Sequence, residues 1–185
     1  MEQIEFHIRQ IEGGVTSTHV ATKLRPGDPV KVEGPYGVSY LRRQHTGPIV
    51  AVAGGSGLAP IAAILETALS NGMLQPMYLF FGVRDEHDVY NETRLQELAA
   101  QYKNLTYSIV LSQPSALTER PTGLVHEAIL GQITNFDGCK AYIAGPPPMV
   151  NAATALLFSF GMERPNIHAD PFFTEADRAA QQVVA

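Results

Sequence analysis

From Pro48 onward, continuous apolar runs alternate with segments that have helical periodicity. Each run is apolar at nearly every position, which is typical of parallel strands covered by helices on both faces. These runs are PIVAVA (48–53), MYLFFG (77–82), LTYSIVL (105–111), KAYIAG (140–145) and NIHA (166–169). Between them apolar residues recur at helical spacing, as at Ile61, Leu65 and Leu69. This alternation predicts an α/β fold with a five-stranded, doubly wound parallel sheet.

The first 46 residues follow a different pattern, in which short strands are joined by glycine and proline turns. The segment IEFHIRQI (4–11) alternates as a half-buried strand does, and PVKVEGPYG (29–37) reads as a strand that leaves into a turn. Between them, GGVTS (13–17) is a glycine turn with helix-capping residues, and RPGD (25–28) is a β-turn. We therefore expect a partial antiparallel β-barrel over residues 1–46 and a second domain over residues 47–185. The barrel would have an open, unpaired edge.

Composition and charge exclude several classes of protein. The 185 residues are 45% hydrophobic and 17% charged, as in a globular and not a disordered chain. The net charge of −5, with no basic run, argues against a nucleic-acid partner. No apolar segment is long enough to span a bilayer, and the charged start does not resemble a signal peptide, so we expect a cytoplasmic protein. The single cysteine excludes an internal disulfide and an all-cysteine iron–sulfur cluster.

A glycine-rich segment, AGGSGLAPI (53–61), directly follows the first predicted strand of the sheet. Ligands of open parallel sheets bind beyond the carboxyl ends of the strands, where glycines let the backbone approach a pyrophosphate. The spacing is Gly55-x-Gly57-x-x-Pro60, and a proline suits the first turn of a helix. A Walker loop is excluded because no Gly-Lys-Ser/Thr follows, and a serine-hydrolase elbow because Leu58 stands where glycine is needed. A phosphate loop and an ordinary tight turn both remain open.

Two further strand ends carry candidate residues. In FFGVRDEHDVY (80–90), an acid would bond a ribose 2′-hydroxyl and an arginine would tolerate a 2′-phosphate, so adjacent Arg84 and Asp85 leave the cofactor preference open. A solvated charged loop is the alternative. In IAGPPPMV (143–150), Gly145 and three prolines force a rigid loop, which we expect close to the glycine-rich segment. A simple strand-to-helix turn is the alternative there.

The sequence offers no other catalytic machinery. The six histidines are scattered, and none pairs with a second ligand at metal spacing, so we expect no metal site. Cys139 reads as a small apolar residue and not as a nucleophile. No Ser/His/Asp set emerges. If the chain is an enzyme, its chemistry belongs to a cofactor.

Several of these segments together resemble one family. The segments EGPYG, AGGSGLAPI, FFGVRDEHDVY, AGPPPMV and IHADPFF occur in the order and spacing of the ferredoxin–NADP reductase superfamily. The nearest resemblance is to reductase components of bacterial aromatic-ring dioxygenases and monooxygenases, especially of the naphthalene-dioxygenase type. It covers all of the chain except its C-terminal end. In that family a flavin-binding barrel precedes an NAD(P)-binding domain, and many members also carry a [2Fe–2S] domain.

The resemblance implies three groups of NAD(P)H-binding residues. The pyrophosphate loop comprises Gly54, Gly55, Ser56, Gly57 and Pro60. The residues at the adenosine ribose and adenine are Arg84, Asp85 and Tyr90. The residues beside the nicotinamide are Gly145, Pro146, Pro147 and Met149. Ala144 stands where many relatives have cysteine, although some dioxygenase reductases share the alanine.

The resemblance also implies an FAD site. The FAD pyrophosphate would be held by Gly13, Gly14, Thr16 and Ser17. Phe172 would cover the flavin, with Phe173 as the alternative, and Asp170 matches a family acid close to the flavin. The residues expected to act in catalysis are Gly145, Pro146, Asp170 and Phe172.

The resemblance further implies what this chain would lack. The family's Arg-x-Tyr-Ser strand, whose tyrosine stacks on the flavin, would precede Met1. We therefore expect the chain to be the C-terminal part of a reductase, without the front half of the barrel and without a [2Fe–2S] cluster.

These implications lead to two functional hypotheses. The first is an oxidoreductase that passes hydride from NAD(P)H to FAD, and electrons on to a ferredoxin or an iron–sulfur oxygenase component. The second is a truncated, non-catalytic nucleotide-binding module that pairs with another chain, or with a second copy of itself, through the open barrel edge. Neither hypothesis involves nucleic acid or a membrane.

Overall fold

The computed structural model describes residues 4–34 and 36–174. The chain divides into two compact units, Met1–Gly37 and Val38–Ala185. The functional boundary predicted between residues 46 and 47 stays a prediction, because a compact unit is defined by its internal contacts and not by what it binds. No helix within the described ranges is long and apolar enough to cross a membrane.

The first unit contains one helix in its described residues. Helix α1 spans Val15–Thr22 and begins after its N-cap, Gly14, with no capping side chain. The capping role predicted for Thr16 and Ser17 is therefore wrong, because both lie inside the first turn. Ser17 Oγ instead accepts the Ile11 N–H at 3.1 Å.

The predicted turn over residues 25–28 is confirmed. Arg25 O accepts the Asp28 N–H at 3.0 Å, and Asp28 Oδ2 accepts the Arg25 N–H at 2.7 Å. Pro26 and Gly27 occupy the central positions, and the φ of Gly27 is +97°. Proline followed by glycine in a left-handed conformation is the arrangement of a type II turn.

The antiparallel barrel predicted for residues 1–46 is not seen in the described part of that range. Neither residues 4–11 nor residues 29–34 form a β-ladder. A strand exists only when its backbone N–H and C=O groups pair with a neighbour, and alternation of side chains does not supply that neighbour. Ile4, Phe6 and Ile8 are 73%, 56% and 49% exposed. The apolar face of the predicted strand is thus open to solvent.

The second unit is built on a five-stranded parallel sheet, as predicted. The strands are β1 Ile49–Gly54, β2 Met77–Val83, β3 Leu105–Leu111, β4 Lys140–Gly145 and β5 Ile167–Pro171. Their spatial order is β3-β2-β1-β4-β5, and every neighbouring pair is parallel. β1 is central and buried at every position, which explains why its sequence is a continuous apolar run.

Helices cover both faces of this sheet. They are α2 Leu58–Ser70, α3 Glu92–Gln101, α4 Val125–Ile129 and α5 Pro147–Ser159. Ala51 and Ala53 of β1 belong to one core cluster with the buried residues of α2 and α3. Val50 and Val52 belong to a second cluster with those of α4 and α5. The sheet is therefore doubly wound, with successive β1 side chains facing different helix pairs.

The helix ends agree with most of the sequence signals. Gly161 follows α5 as the predicted C′ residue, since its N–H donates to Phe158 O and the Met162 N–H donates to Leu157 O, both at 3.0 Å. Asn91 stands at the N-cap of α3 as predicted. Its backbone is left-handed, with φ +57°, and its side chain makes no capping hydrogen bond.

A polar network ties residues 39–42 to the sheet within the second unit. The Arg42 N–H donates to Tyr142 Oη at 2.8 Å, and Ser39 Oγ donates to His168 O at 3.2 Å. The His168 ring stacks on Tyr142 with centroids 5.2 Å apart and is 7% exposed. Burial, with the positive charges of Arg42 and Lys140, lowers the pKa of His168 to about 4. His168 is therefore neutral at pH 7.

Candidate functional site

The structure brings the two loops singled out by sequence to the same edge of the sheet. Residues 54–57, here called the glycine loop, begin at the last residue of β1, and residues 145–148, the proline corner, begin at the last residue of β4. β1 and β4 are hydrogen-bonded neighbours, with Ala53 paired to Ala144. The two loops therefore start side by side at the carboxyl edge, where open α/β sheets bind ligands.

The backbones of the two loops are in direct contact. A Cβ added to Gly57 would lie 2.1 Å from Ala144 O. A Cβ added to Gly145 would lie 2.8 Å from Gly54 O, and the φ of Gly145 is +146°. Both positions thus require glycine, because a side chain would push the loops apart. The glycines have a packing role between two strand ends, beyond that of a simple tight turn.

Tyr90 forms a hydrogen bond to the glycine loop. Its hydroxyl donates to Gly55 O at 3.2 Å, and its ring lies edge-on to Phe81, with centroids 5.6 Å apart. In a planar trans peptide the C=O of one residue and the N–H of the next point in opposite directions. By holding the Gly55 carbonyl, Tyr90 directs the Ser56 N–H away from itself. Sequence reasoning associated Tyr90 with an adenine and missed this contact.

Two helices start at this edge. α2 begins at Leu58, one short turn after β1, and Pro60 lies in its first turn. α5 begins at Pro147 with Pro146 as its N-cap. The first N–H groups of a helix have no partner within it, and together with the macrodipole they favour a nearby anion. The α2 end, with the adjoining glycine loop, can therefore hold a phosphate.

The end of β5 completes the edge beside the proline corner. Asp170 pairs with Ala144, and the Phe172 N–H donates to Gly145 O at 2.8 Å. Phe172 and Phe173 are 36% and 39% exposed, so both rings are partly accessible. Asp170 is half-buried, and burial raises the pKa of its carboxyl. Asp170 near the end of β5 and the two aromatic side chains that follow the strand thus lie next to the proline corner.

Asp85, at the end of β2, is directed towards the loop after β3. It is 8% exposed, and its Oδ1 accepts the N–H of Glu86 at 2.8 Å and of Ser115 at 3.1 Å. Hydrogen bonds from the Ser115 hydroxyl and from these two N–H groups, with the nearby His87, lower its pKa to about 2. The Asp85 carboxylate is therefore ionised and already satisfied by protein donors. Its contacts join two loops, which its sequence position alone does not reveal.

Arg84, next to Asp85 in the chain, is exposed and pairs with Asp88. Its side chain is 58% exposed and its Nε lies 3.3 Å from Asp88 Oδ2. A second arginine in this region was missed by sequence reasoning. Arg120 lies in the loop after β3 and binds the carboxylates of Glu86 and Glu92. The signal that could have found it is that β3 also ends at the carboxyl edge, so its loop borders the same sites.

A cavity of about 550 Å³ opens between the ends of β2 and β3. Its walls include Asp85 and Glu86 on one side and Pro114–Arg120 on the other. This volume lies within the range of small-molecule sites. The cavity, the glycine loop and the proline corner all follow strands at the carboxyl edge of one sheet.

The residues predicted to hold the FAD pyrophosphate lie together at the start of α1. Gly14 is the N-cap, and Thr16 and Ser17 lie in the first turn, while Gly13 precedes them in the turn with φ +74°. Because no side chain caps this helix, its first N–H groups are available to a phosphate, so these residues fit a pyrophosphate group. Within residues 4–34 and 36–174, no group of three His, Cys, Asp or Glu could hold a metal ion.

Family comparison agrees with this architecture. The oxidoreductase NAD-binding domain matches residues 51–155. The chain belongs to the oxidoreductase NAD-binding domain family. The oxidoreductase FAD-binding domain matches residues 1–40. The resemblance to the ferredoxin–NADP reductase superfamily is thereby confirmed.

Relatives and solved structures support the same assignment. The ferredoxin–NAD(P)(+) reductase component of the naphthalene 1,2-dioxygenase/salicylate 5-hydroxylase systems of Ralstonia sp is 43% identical over 92% of this chain and 52% of the relative. Its naphthalene 1,2-dioxygenase counterpart from Pseudomonas putida is 38% identical over 93% and 52%. The Amycolatopsis cytochrome P450 reductase GcoB superposes with a TM-score of 0.83 at 30% identity, over 89% of this chain and 50% of GcoB. The chain spans about half the length of the curated relatives it matches.

Proposed function

We propose that this chain is the nucleotide-binding part of an NAD(P)H-dependent flavin reductase that serves an oxygenase system. Hydride would pass from NAD(P)H to FAD, and electrons would pass on to a ferredoxin or an iron–sulfur oxygenase component. The observation that carries the proposal is the direct backbone contact between the glycine loop and the proline corner. This contact lets one dinucleotide reach both loops. The Ralstonia and Pseudomonas relatives are ferredoxin–NAD(P)(+) reductase components, which supports electron transfer from NAD(P)H as the reaction class.

In this proposal the dinucleotide lies along the carboxyl edge. Its bridging phosphates bind the backbone N–H groups of residues 54–57 and the first turn of α2, which includes Pro60. Its nicotinamide lies against Gly145, Pro146, Pro147 and Met149. Its adenosine half extends past Tyr90 towards Arg84 and Asp85. Because the phosphates are bound by backbone groups and helix N-termini, the site requires no lysine or arginine beside them.

FAD would be held by the first unit through Gly13, Gly14, Thr16 and Ser17. When bound, it would supply the hydride acceptor and the conversion of a two-electron step into single-electron steps. The hydrogen bond from Phe172 to Gly145 O keeps the aromatic segment beside the nicotinamide corner. Asp170 can retain a proton at a higher pH than an ordinary carboxyl, because burial raises its pKa. In this proposal residues 1–46 are the flavin-binding part and residues 47–185 the NAD(P)H-binding part.

Calorimetry with NADH tests the nucleotide site. We expect saturable binding by the chain and at least about tenfold weaker binding by Ser56→Asp, because a carboxylate in the glycine loop repels the phosphates. An acid near a helix N-terminus favours folding, so loss of binding would not reflect unfolding. Ser70→Asp, at the other end of α2, is the matched control and should bind as the unaltered chain does. Equal binding by all three proteins, or none by the unaltered chain, would contradict the proposal.

A spectroscopic experiment tests the redox part separately. FAD is added to the chain, the excess is removed, and NADH is then supplied without oxygen. We expect retained flavin absorbance that bleaches on addition of NADH and returns on addition of ferricyanide. A chain that binds NADH but retains no flavin would leave the nucleotide site in place and contradict the reductase assignment.

The exposed apolar side chains of the first unit favour a second candidate, a module that pairs through this region with a second copy of the chain. Val30 and Val32 are 64% and 54% exposed, as Ile4, Phe6 and Ile8 also are in large part. Exposed apolar residues grouped in this way favour association between chains. Sedimentation should then show a dimer that Phe6→Glu converts to a monomer. A monomeric chain at all concentrations would contradict this candidate.

A further inference from the structure

The cavity between the ends of β2 and β3 has walls that are joined by several hydrogen bonds. The Ser112 N–H donates to Val83 O at 3.0 Å and the Gln113 N–H to Arg84 O at 2.7 Å. The Ser115 N–H donates to Asp85 Oδ1 at 3.1 Å. These bonds fix the loop after β3 against the end of β2. The cavity is therefore a built feature of the carboxyl edge, and it lies where the proposed function puts the adenosine ribose.

Arg120 lines this cavity with a guanidinium that is already occupied. Its Nε lies 2.9 Å and 3.0 Å from the two oxygens of Glu86, and its Nη2 lies 2.8 Å from Glu86 Oε1. Its Nη1 and Nη2 contact the two oxygens of Glu92 at 2.9 Å and 2.8 Å. Two carboxylates thus surround one positive charge. Paired bonds of this kind are among the strongest that arginine makes.

The other charged groups of the cavity wall are acidic. Asp85 is ionised, because its protein donors hold its pKa at about 2, and Glu119 also lines the cavity. Among the residues that the structure describes, no lysine and no second arginine lines the cavity. Arg84 lies outside it and pairs with Asp88. The wall therefore carries a net negative charge, with its one guanidinium neutralised.

We infer that this cavity selects a dinucleotide whose adenosine ribose has a free 2′-hydroxyl, so that NADH and not NADPH is the donor. The inference rests on the proposed function. A 2′-phosphate would bring further negative charge to an acidic wall, and an arginine that accommodates it must be free to turn towards it. Arg120 could do so only by leaving Glu86 and Glu92. A neutral 2′-hydroxyl adds no charge to the acidic wall and needs no arginine.

The sign of a salt effect tests this inference without any mutation. NAD⁺ and NADP⁺ are titrated separately into the 185-residue chain by calorimetry, at low and at high salt. We expect NADP⁺ to bind at least about tenfold more weakly at low salt, because like charges repel across the cavity. The ratio of the NADP⁺ Kd to the NAD⁺ Kd should fall as salt rises, because salt screens that repulsion. NADP⁺ bound by a free arginine would give the opposite trend, with the ratio rising.

A charge-matched pair of variants tests the role of Arg120. Glu86→Gln/Glu92→Gln removes the carboxylates that hold Arg120, and should lower the ratio of the NADP⁺ Kd to the NAD⁺ Kd by about fivefold or more. Glu66→Gln/Glu97→Gln makes the same change in net charge on α2 and α3 and should leave the ratio unchanged. Glu66 pairs with Arg94 at 2.6 Å, so this control also removes an ion pair.

The outcomes separate this inference from the proposed function. NADP⁺ binding as tight as NAD⁺, a ratio that rises with salt, or an equal effect of both double variants would overturn the inference and leave the nucleotide site intact. An Arg84→Gln variant that weakens only NADP⁺ would also overturn it. No heat with either nucleotide would contradict the proposed function as well. If the Glu86→Gln/Glu92→Gln variant fails to fold, the salt dependence of the unaltered chain decides.

Discussion

The two compact units both contain segments whose sequence predicts strands, and they differ in what covers those segments. In the second unit, β1 is buried at every position because helices pack on both of its faces. In the first unit, Ile4, Phe6 and Ile8 alternate as strand residues do, yet each is about half exposed or more. The comparison teaches that periodicity indicates which face a strand would bury. Whether the strand forms depends on a neighbouring strand and a covering layer.

The largest expected effect comes from the same truncation made in both units. Phe80→Ala in β2 removes a fully buried ring and should lower the free energy of unfolding by about 3–5 kcal/mol. Phe6→Ala removes a ring that is 56% exposed and should change it by less than about 0.5 kcal/mol. Denaturant unfolding measures both. Equal losses would show that the first unit has a packed core in solution.

The contact between the two loops predicts the next largest effect. Gly57→Ala would put a methyl group 2.1 Å from Ala144 O. Since backbone cannot yield as a flexible side chain does, we expect a loss of about 3 kcal/mol and no nucleotide binding. Gly131→Ala is the control, because its added methyl would lie 3.4 Å from the nearest atom. A Gly57→Ala protein as stable as the control would contradict the loop contact.

Buried His168 predicts a smaller, pH-dependent effect confined to the second unit. Its pKa is about 4 when folded and 6.5 as a free side chain. Between these values the unfolded chain binds a proton that the folded chain does not, so stability is complete above pH 6.5 and falls as pH drops towards 4. We expect this residue to contribute a loss on the order of 3 kcal/mol. Melting curves of His168→Phe should lack this part of the pH dependence, and curves that parallel the unaltered chain would contradict it.

Tyr90 predicts the smallest effect, on binding more than on stability. Tyr90→Phe removes the hydroxyl that donates to Gly55 O and keeps the ring against Phe81. Loss of one hydrogen bond of about 1 kcal/mol should weaken NAD⁺ binding roughly fivefold. Tyr107→Phe in β3 is the control and should bind normally. Unchanged affinity in Tyr90→Phe would show that the glycine loop holds its conformation without Tyr90.

Most of the second unit could be predicted because its signals are local. Continuous apolar runs mark the parallel strands, and the glycine loop and proline corner meet because each follows one of two neighbouring strands. Contacts between distant side chains could not be predicted in the same way. Asp85 meets Ser115, and Arg120 meets Glu86 and Glu92, only once the loops after β2 and β3 are folded together. Short polar loops have no periodicity that indicates such partners.

The prediction for the first unit was weaker for a related reason. The turn at residues 25–28 is confirmed because proline and glycine set its conformation locally. The capping role of Thr16 and Ser17 is wrong because residue type alone does not determine the position at which a helix begins. The predicted strands require a ladder partner that their own residues do not specify.

The most direct test of the central claim is an amide chemical-shift map of the ¹⁵N-labelled chain titrated with NAD⁺. The account predicts saturable shifts at residues 54–57 and at Gly145 and Met149, since one dinucleotide contacts both the glycine loop and the proline corner. Amides near the opposite edge of the sheet, such as those of Ile49 and Lys140, should stay unchanged. Shifts that avoid the glycine loop, or that reach one of the two loops without the other, would contradict the claim.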